Sequence, residues 1–222
     1  MSQAKVLVAP SLLSADPLNF GRDLMEAEEL GVDWHHFDVM DGHFVPNLTY
    51  GLPLVKALKA KTKIILDVHI MVANPDVVAL DYVAAGADYL VFPIETVVHS
   101  HRLIHAIHEK GAKAGVAINP GTSLSTIEAL LPYLDSVNIM SVNPGFGGQA
   151  FIPESLGRIQ TLKAMLKNIG RDKACLIEVD GGVNAETAPK IVAAGADVLV
   201  AGTFFYGSKD KRAALNTLRG IG

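Results

Sequence analysis

Eight short apolar runs recur along this chain, at 6–9, 35–39, 64–70, 89–92, 114–118, 136–140, 176–179 and 198–201. Between successive runs lies a longer stretch able to form a helix and a turn. Strands that alternate with helices pair in parallel, because each crossover returns the chain to the end it started from. Eight such units predict an α/β protein, a (β/α)8 TIM barrel in one domain over residues 1–222. A last helix, within 208–219, would close it.

A faint internal repeat supports equal units. VAAGAD occurs at 83–88 and again at 192–197, and the related LGVD at 30–33. Each copy falls where a helix should end, with glycine as its cap, just before a strand. The same motif could equally be an ordinary helix-to-strand loop used twice.

Composition narrows the function classes. Half of the residues are apolar and 19% are charged, which suits a large buried core. A net charge of −4 offers no electrostatic attraction to nucleic acid or an anionic membrane. Any phosphate bound here would be held by local geometry. No apolar run reaches the roughly 18 residues of a membrane span, and MSQAKVLVAP does not open like a signal peptide. Cys175, the single cysteine, rules out an internal disulfide and fits a reducing compartment, so the cytoplasm is expected. It opens the run CLIEVD and reads as a core residue.

Chemistry in a barrel sits where the strands end. In WHHFDVMDGHFVPN at 34–47, His36, Asp38 and Met40 alternate, so a strand points all three to one face. Taken alone, this is also an ordinary strand with a core histidine before an Asp-Gly turn. The other strand ends carry Ser11, His69 with Met71, Met140-Ser141, Asp180 with Gly181-Gly182, and Gly202-Thr203. His36, Asp38, His69 and Asp180 therefore converge on one mouth from three strands. Four nitrogen and oxygen donors of this kind suit one divalent metal ion, zinc first, with iron, manganese or cobalt as alternatives. Asp67 and Glu178, one pleat deeper, are placed to fix the histidine tautomers. Met40, Met71 and Met140 would collar the mouth, or simply pack in the core.

Glycines offer the second half of a site. Gly145, Phe146, Gly147 and Gly148, then Gly181-Gly182 and Gly202-Thr203, form loops whose backbone N–H groups could approach an anion. GFGGQA at 145–150 also fits a dinucleotide fingerprint, but it comes late and lacks the acidic residue some 20 positions on. No lysine follows in the manner of a nucleotide-binding P-loop. Lys63, Lys113 and Lys173 stand just before strands, at the wrong end for a Schiff-base lysine. His99, His101, His105 and His108 crowd one predicted helix. Ser100 and Arg102 mark it as a surface helix, and the missing glutamate speaks against a zinc-protease role.

The assembled motifs resemble the ribulose-phosphate 3-epimerase family over essentially the whole chain. They are APSLLSAD at 9–16, HFDVMDGHFVPN at 36–47, LDVHIM at 66–71, MSVNPGFGGQ at 140–149, EVDGGV at 178–183 and AGT at 201–203. The resemblance implies a homo-oligomeric enzyme interconverting D-ribulose 5-phosphate and D-xylulose 5-phosphate. It implies that His36, Asp38, His69 and Asp180 hold the metal, and that Asp38 and Asp180 transfer the protons. Ser11, His69 and the glycine loops would contact the substrate. D-allulose 6-phosphate is the alternative substrate, and a metal-dependent hydrolase the more distant reading. Two positions depart from the family: Pro93 stands where a histidine is usual, and Thr203 where serine is commoner.

Overall fold

The computed structural model describes residues 6–221; the remainder of the expected 1–222 span lies outside the described residues. All eight strands form: β1 (Leu7–Ala9), β2 (Trp34–Met40), β3 (Ile65–Met71), β4 (Tyr89–Pro93), β5 (Lys113–Ile118), β6 (Ser136–Met140), β7 (Leu176–Asp180) and β8 (Val198–Val200). They pair in parallel in the order β1-β8-β7-β6-β5-β4-β3-β2. The seam between β1 and β2 is closed by N–H donation from Asp33 to the Val8 carbonyl and from His36 to the Pro10 carbonyl, both at 3.1 Å. The result is a single-domain (β/α)8 barrel.

The outer layer holds α1 (Phe20–Glu29), α2 (Leu52–Lys59), α3 (Pro75–Ala85), α4 (Ser100–Glu109), α5 (Ser155–Asn168), α6 (Thr187–Ala194), α7 (Thr203–Tyr206) and α8 (Lys211–Leu218). One connection departs from expectation. Between β5 and β6 the chain forms only a 3-10 helix, Leu124–Leu130, capped by Ser123. Pro120 and Pro132 bracket this segment.

Strand alternation divides the buried side chains. Phe37 and Val39 of β2 pack outward into the main core under the helices, whereas Met40 joins a small cluster with Val45 and Met71 at the mouth. A separate plug of Ala9, Trp34, Val198 and Val200, with Leu7, Ile65, Tyr89 and Leu176 against it, fills the lower barrel. Trp34 and Tyr89 lie 4.6 Å apart at its centre. Cys175 is buried in the main core, and burial pushes its thiol up to about 12.

The repeat noticed in the sequence has a structural job. α3 and α6 both end on its glycine, Gly86 and Gly195, in left-handed backbone. The aspartate that follows reaches across to the preceding strand. Asp33 accepts the Val8 N–H at 3.0 Å, Asp88 that of Leu66 at 2.8 Å, and Asp197 that of Ile177 at 2.9 Å. Asp135 does the same for Ala114 at 3.0 Å, completing a fourfold pattern. Each carboxylate also meets a cation: Arg219 on Asp33, Lys59 on Asp88, Lys113 on Asp135 and Lys163 on Asp197. The pattern escapes the sequence at Asp135 because Tyr133, not glycine, stands two residues before it.

Burial works against the charged form of Asp135, but the Ala114 N–H, Lys113 and His108 outweigh it and hold its carboxyl below the ordinary value. A lowered folded-state pKa contributes stability above the unfolded value and loses it as pH falls through the folded one. Asp135→Asn should therefore cost about 1.5–3 kcal/mol at pH 7. In denaturant titrations the penalty should shrink steadily below about pH 4, the unfolded-state value.

Candidate active site

Register between β2 and β3 sets the floor of the site: His36 lies opposite Asp67, and Asp38 opposite His69. Asp180 ends β7, paired with Met140 on one side and Val200 on the other. One donor atom each from His36, Asp38, His69 and Asp180 lies within 4.8 Å of all the others. His36 Nε2 is 3.2 Å from Asp38 Oδ1 and 3.8 Å from Asp180 Oδ2. His69 Nδ1 is 3.6 Å and 3.8 Å from those same oxygens.

The shortest is a hydrogen bond, but the three longer separations suit a shared cation better than direct bonding. His69 Nδ1 is buried and has no hydrogen-bond partner among the described residues, a costly state unless something bridges it. Burial alone would disfavour a protonated His36, yet the charges of Asp38 and Asp67 raise its pKa well above the ordinary value. The cluster thus calls for positive charge at its centre. A divalent ion fits that donor set.

Beneath it, His36 Nδ1 meets Asp67 Oδ2 at 2.6 Å and Glu178 Oε1 at 3.1 Å. Burial and the neighbouring Asp67 charge raise the Glu178 pKa well above the usual carboxylate range. The contact with Asp67 turns Nε2 toward the mouth, as expected for a positioned ligand. His35, one residue out of phase, faces α1, with Nε2 3.8 Å from Glu28.

The two catalytic candidates differ in their surroundings. Burial would raise Asp38, but His36 and then His69 outweigh it and hold the carboxyl well below its ordinary range. Ser11 Oγ donates to Asp38 Oδ2 at 2.5 Å. Burial, and then the like charge of Asp38, push Asp180 up to about 6.

Above the carboxylates lies a cavity of about 300 Å³, within the range of small-molecule sites. Ser11, Asp38, Asp180, the collar of Met40, Met71 and Met140, and the glycine loops line it, with Phe146, Gly202 and Thr203 at its sides. His36 and His69 are buried and do not line it. Ser14, Val142, Gln149 and Asn184 also line it and were not singled out in the sequence. Ser14 Oγ lies 3.3 Å from Thr203 Oγ1, and Gln149 Nε2 donates to the Asn143 and Phe146 carbonyls. Gly145–Ala150 follows β6 as an irregular loop and does not itself open a helix, unlike a dinucleotide fingerprint. No lysine or arginine lines the cavity among the described residues.

A sequence model of the ribulose-phosphate 3 epimerase family matches residues 7–206. The chain belongs to this family. It is an isomerase of the epimerase type. The ribulose-phosphate 3-epimerase of Bacillus subtilis (strain 168) is 48% identical over 97% of this chain and 99% of its own. The chloroplastic ribulose-5-phosphate-3-epimerase of Arabidopsis thaliana is 44% identical over 98% of this chain and 78% of its own. Among solved structures, a 3-keto-L-gulonate-6-phosphate decarboxylase from Vibrio cholerae shares the fold. It aligns at a TM-score of 0.74 with 13% identity, covering 98% of this chain and 97% of that one.

Pro93 and Thr203, both singled out in the sequence, each find a place in the structure. Pro93 is buried at the end of β4, and Glu95 beyond it accepts from the Asn119 N–H at 2.8 Å and Thr122 Oγ1 at 2.7 Å. Glu95 therefore ties the β4 end to the loop after β5. Thr203 keeps a hydroxyl beside Ser14.

Gly182 is the least replaceable of the loop glycines. Its φ is +66°, and a Cβ there would stand 2.5 Å from the Phe151 backbone nitrogen. Gly182→Ala should lower the melting temperature of the epimerase by several degrees, whereas Gly121→Ala, with open space around it, should not. Differential scanning fluorimetry of the two variants makes the comparison.

Proposed function

We propose that this epimerase interconverts D-ribulose 5-phosphate and D-xylulose 5-phosphate by moving a proton at C3 between Asp38 and Asp180. The observation that carries this reading is the unequal pair of carboxylates facing one small cavity from β2 and β7. Inversion beside a ketone needs one base to take the C3 proton from one face and one acid to return a proton to the other. Asp38, held ionised, is suited to abstraction; Asp180, with a pKa raised to about 6, can carry the returning proton. The reverse direction exchanges the roles.

His36, Asp38, His69 and Asp180 would hold the metal, zinc being the preferred assignment from two imidazoles and two carboxylates. A divalent ion there supplies a Lewis acid to the substrate oxygens, worth several kcal/mol. Asp67 fixes His36 in the tautomer that offers Nε2. The methionine collar keeps water from the reacting carbons. The substrate phosphate sits in the glycine loops after β6, β7 and β8, beside Ser14 and Thr203, where α7 begins. With no basic side chain lining the cavity among the described residues, backbone N–H groups and hydroxyls hold it. The lone buried cysteine and the sugar-phosphate substrate agree with a cytoplasmic setting.

Proton exchange at C3 in deuterium oxide tests the scheme directly. Asp38→Asn and Asp180→Asn should each slow both exchange and epimerisation by about 10²–10⁴-fold. Exchange near the wild-type rate in both variants would overturn the two-base assignment. Asp67→Asn should instead weaken the hold on zinc by about 10–100-fold, read by metal analysis after dialysis against graded chelator.

A further inference from the structure

Helix α4 carries histidines that the barrel mouth does not use. His108 is committed to Asp135, with Nε2 2.7 Å from Oδ2. His101 and His105 are both exposed, one turn apart on the outer face of the helix. Their rings lie 4.4 Å apart, and their Nε2 atoms are only 3.1 Å apart. Tyr133 packs against both, edge-on to His101 at 4.6 Å and 5.5 Å from His105, and limits the freedom of the pair. The sequence shows the spacing of these residues; the convergence of the two nitrogens is visible only in three dimensions.

That separation has a chemical meaning. Two imidazole nitrogens bound to one ion at about 2.0–2.1 Å stand roughly 2.8–3.4 Å apart, from the square-planar to the tetrahedral limit. A distance of 3.1 Å falls inside that interval, so both rings could ligate one ion with little rearrangement. Two neutral rings can satisfy only one Nε2 acceptor by bonding to each other, whereas a metal ion uses both lone pairs.

We propose that His101 and His105 form a second, surface site for a borderline divalent transition metal, with water completing the coordination. Imidazole donors and open coordination favour Cu(II) over Ni(II) and Zn(II), and exclude Mg(II) and Ca(II) as competitors. With two protein donors, the site is exchangeable and weaker than the four-donor cluster at the mouth. It lies on the helical layer, so catalysis does not depend on it.

Copper(II) is the probe, titrated calorimetrically into the full-length protein after saturation with zinc and dialysis. Wild type should bind one Cu(II) equivalent that His101→Ala and His105→Ala each weaken at least tenfold and the double variant loses. His105→Gln should behave like His105→Ala, which separates lost ligation from lost side-chain packing. Nitrogen hyperfine couplings from imidazole in the Cu(II) resonance spectrum should disappear with the double variant. Epimerase turnover should be unchanged in all of them. Equal Cu(II) binding by wild type and the double variant would refute the site. So would a His99→Ala variant that loses as much copper as His101→Ala, since binding would then reflect diffuse histidine content. Both outcomes can be read whether or not the mouth assignments hold.

Discussion

His36 has no solvent exposure, and carboxylates face both of its ring nitrogens: Asp38 and Asp180 above, Asp67 and Glu178 below. So many charges can be buried only if each is compensated, because an isolated charge in a low-dielectric interior is prohibitively costly. The imidazole therefore joins two polar layers inside the barrel. The lower one orients the ring, and the upper one gathers a donor set that needs a cation. If the β2–β3 register slipped by one residue, His35, Phe37 and Val39 would face the mouth, and the site would be replaced by core.

The barrel makes this arrangement affordable by separating its stabilising parts from its working parts. The plug around Trp34 and Tyr89 and the outer core under the helices are built mainly of apolar side chains. At the foot of the barrel the four aspartates tie odd strands to the even strands that follow, and each has a cation beside it. The polar layers can then depart from good packing near the mouth without exposing the rest of the interior. Loops after β6, β7 and β8 close over the same mouth with backbone and hydroxyl groups rather than lysines, consistent with the net charge of −4.

Much of this was legible in advance for local reasons. Alternation within WHHFDVM separates inward His36 and Asp38 from outward Phe37 and Val39 because strand side chains have a period of two. Strand ends at Asp180 and Pro93 ran slightly further than the apolar runs, since pairing with neighbours continues past the last apolar residue. The 3-10 connection after β5 was not anticipated. Nor were Ser14, Gln149 and Asn184, which lie in a short 3-10 turn and in loops without periodicity and meet the site only through closure of the barrel. Ser11, expected to contact the substrate, lines the cavity, and the structure adds that its hydroxyl donates to Asp38.

The sequence by itself determined the parallel alternation, the inward phase of each strand and the chemical types at each strand end, because these follow from local periodicity and residue chemistry. Tertiary structure decided which of those residues meet. Asp38 and Asp180 come from strands separated by most of the chain, and their unequal proton affinities arise from burial, the neighbouring His36 and His69, and the charge of Asp38 acting on Asp180. The 3.1 Å approach of His101 to His105 likewise depends on how α4 packs beside Tyr133. Distances and dielectric surroundings are properties of the closed barrel, and no local pattern of residues encodes them.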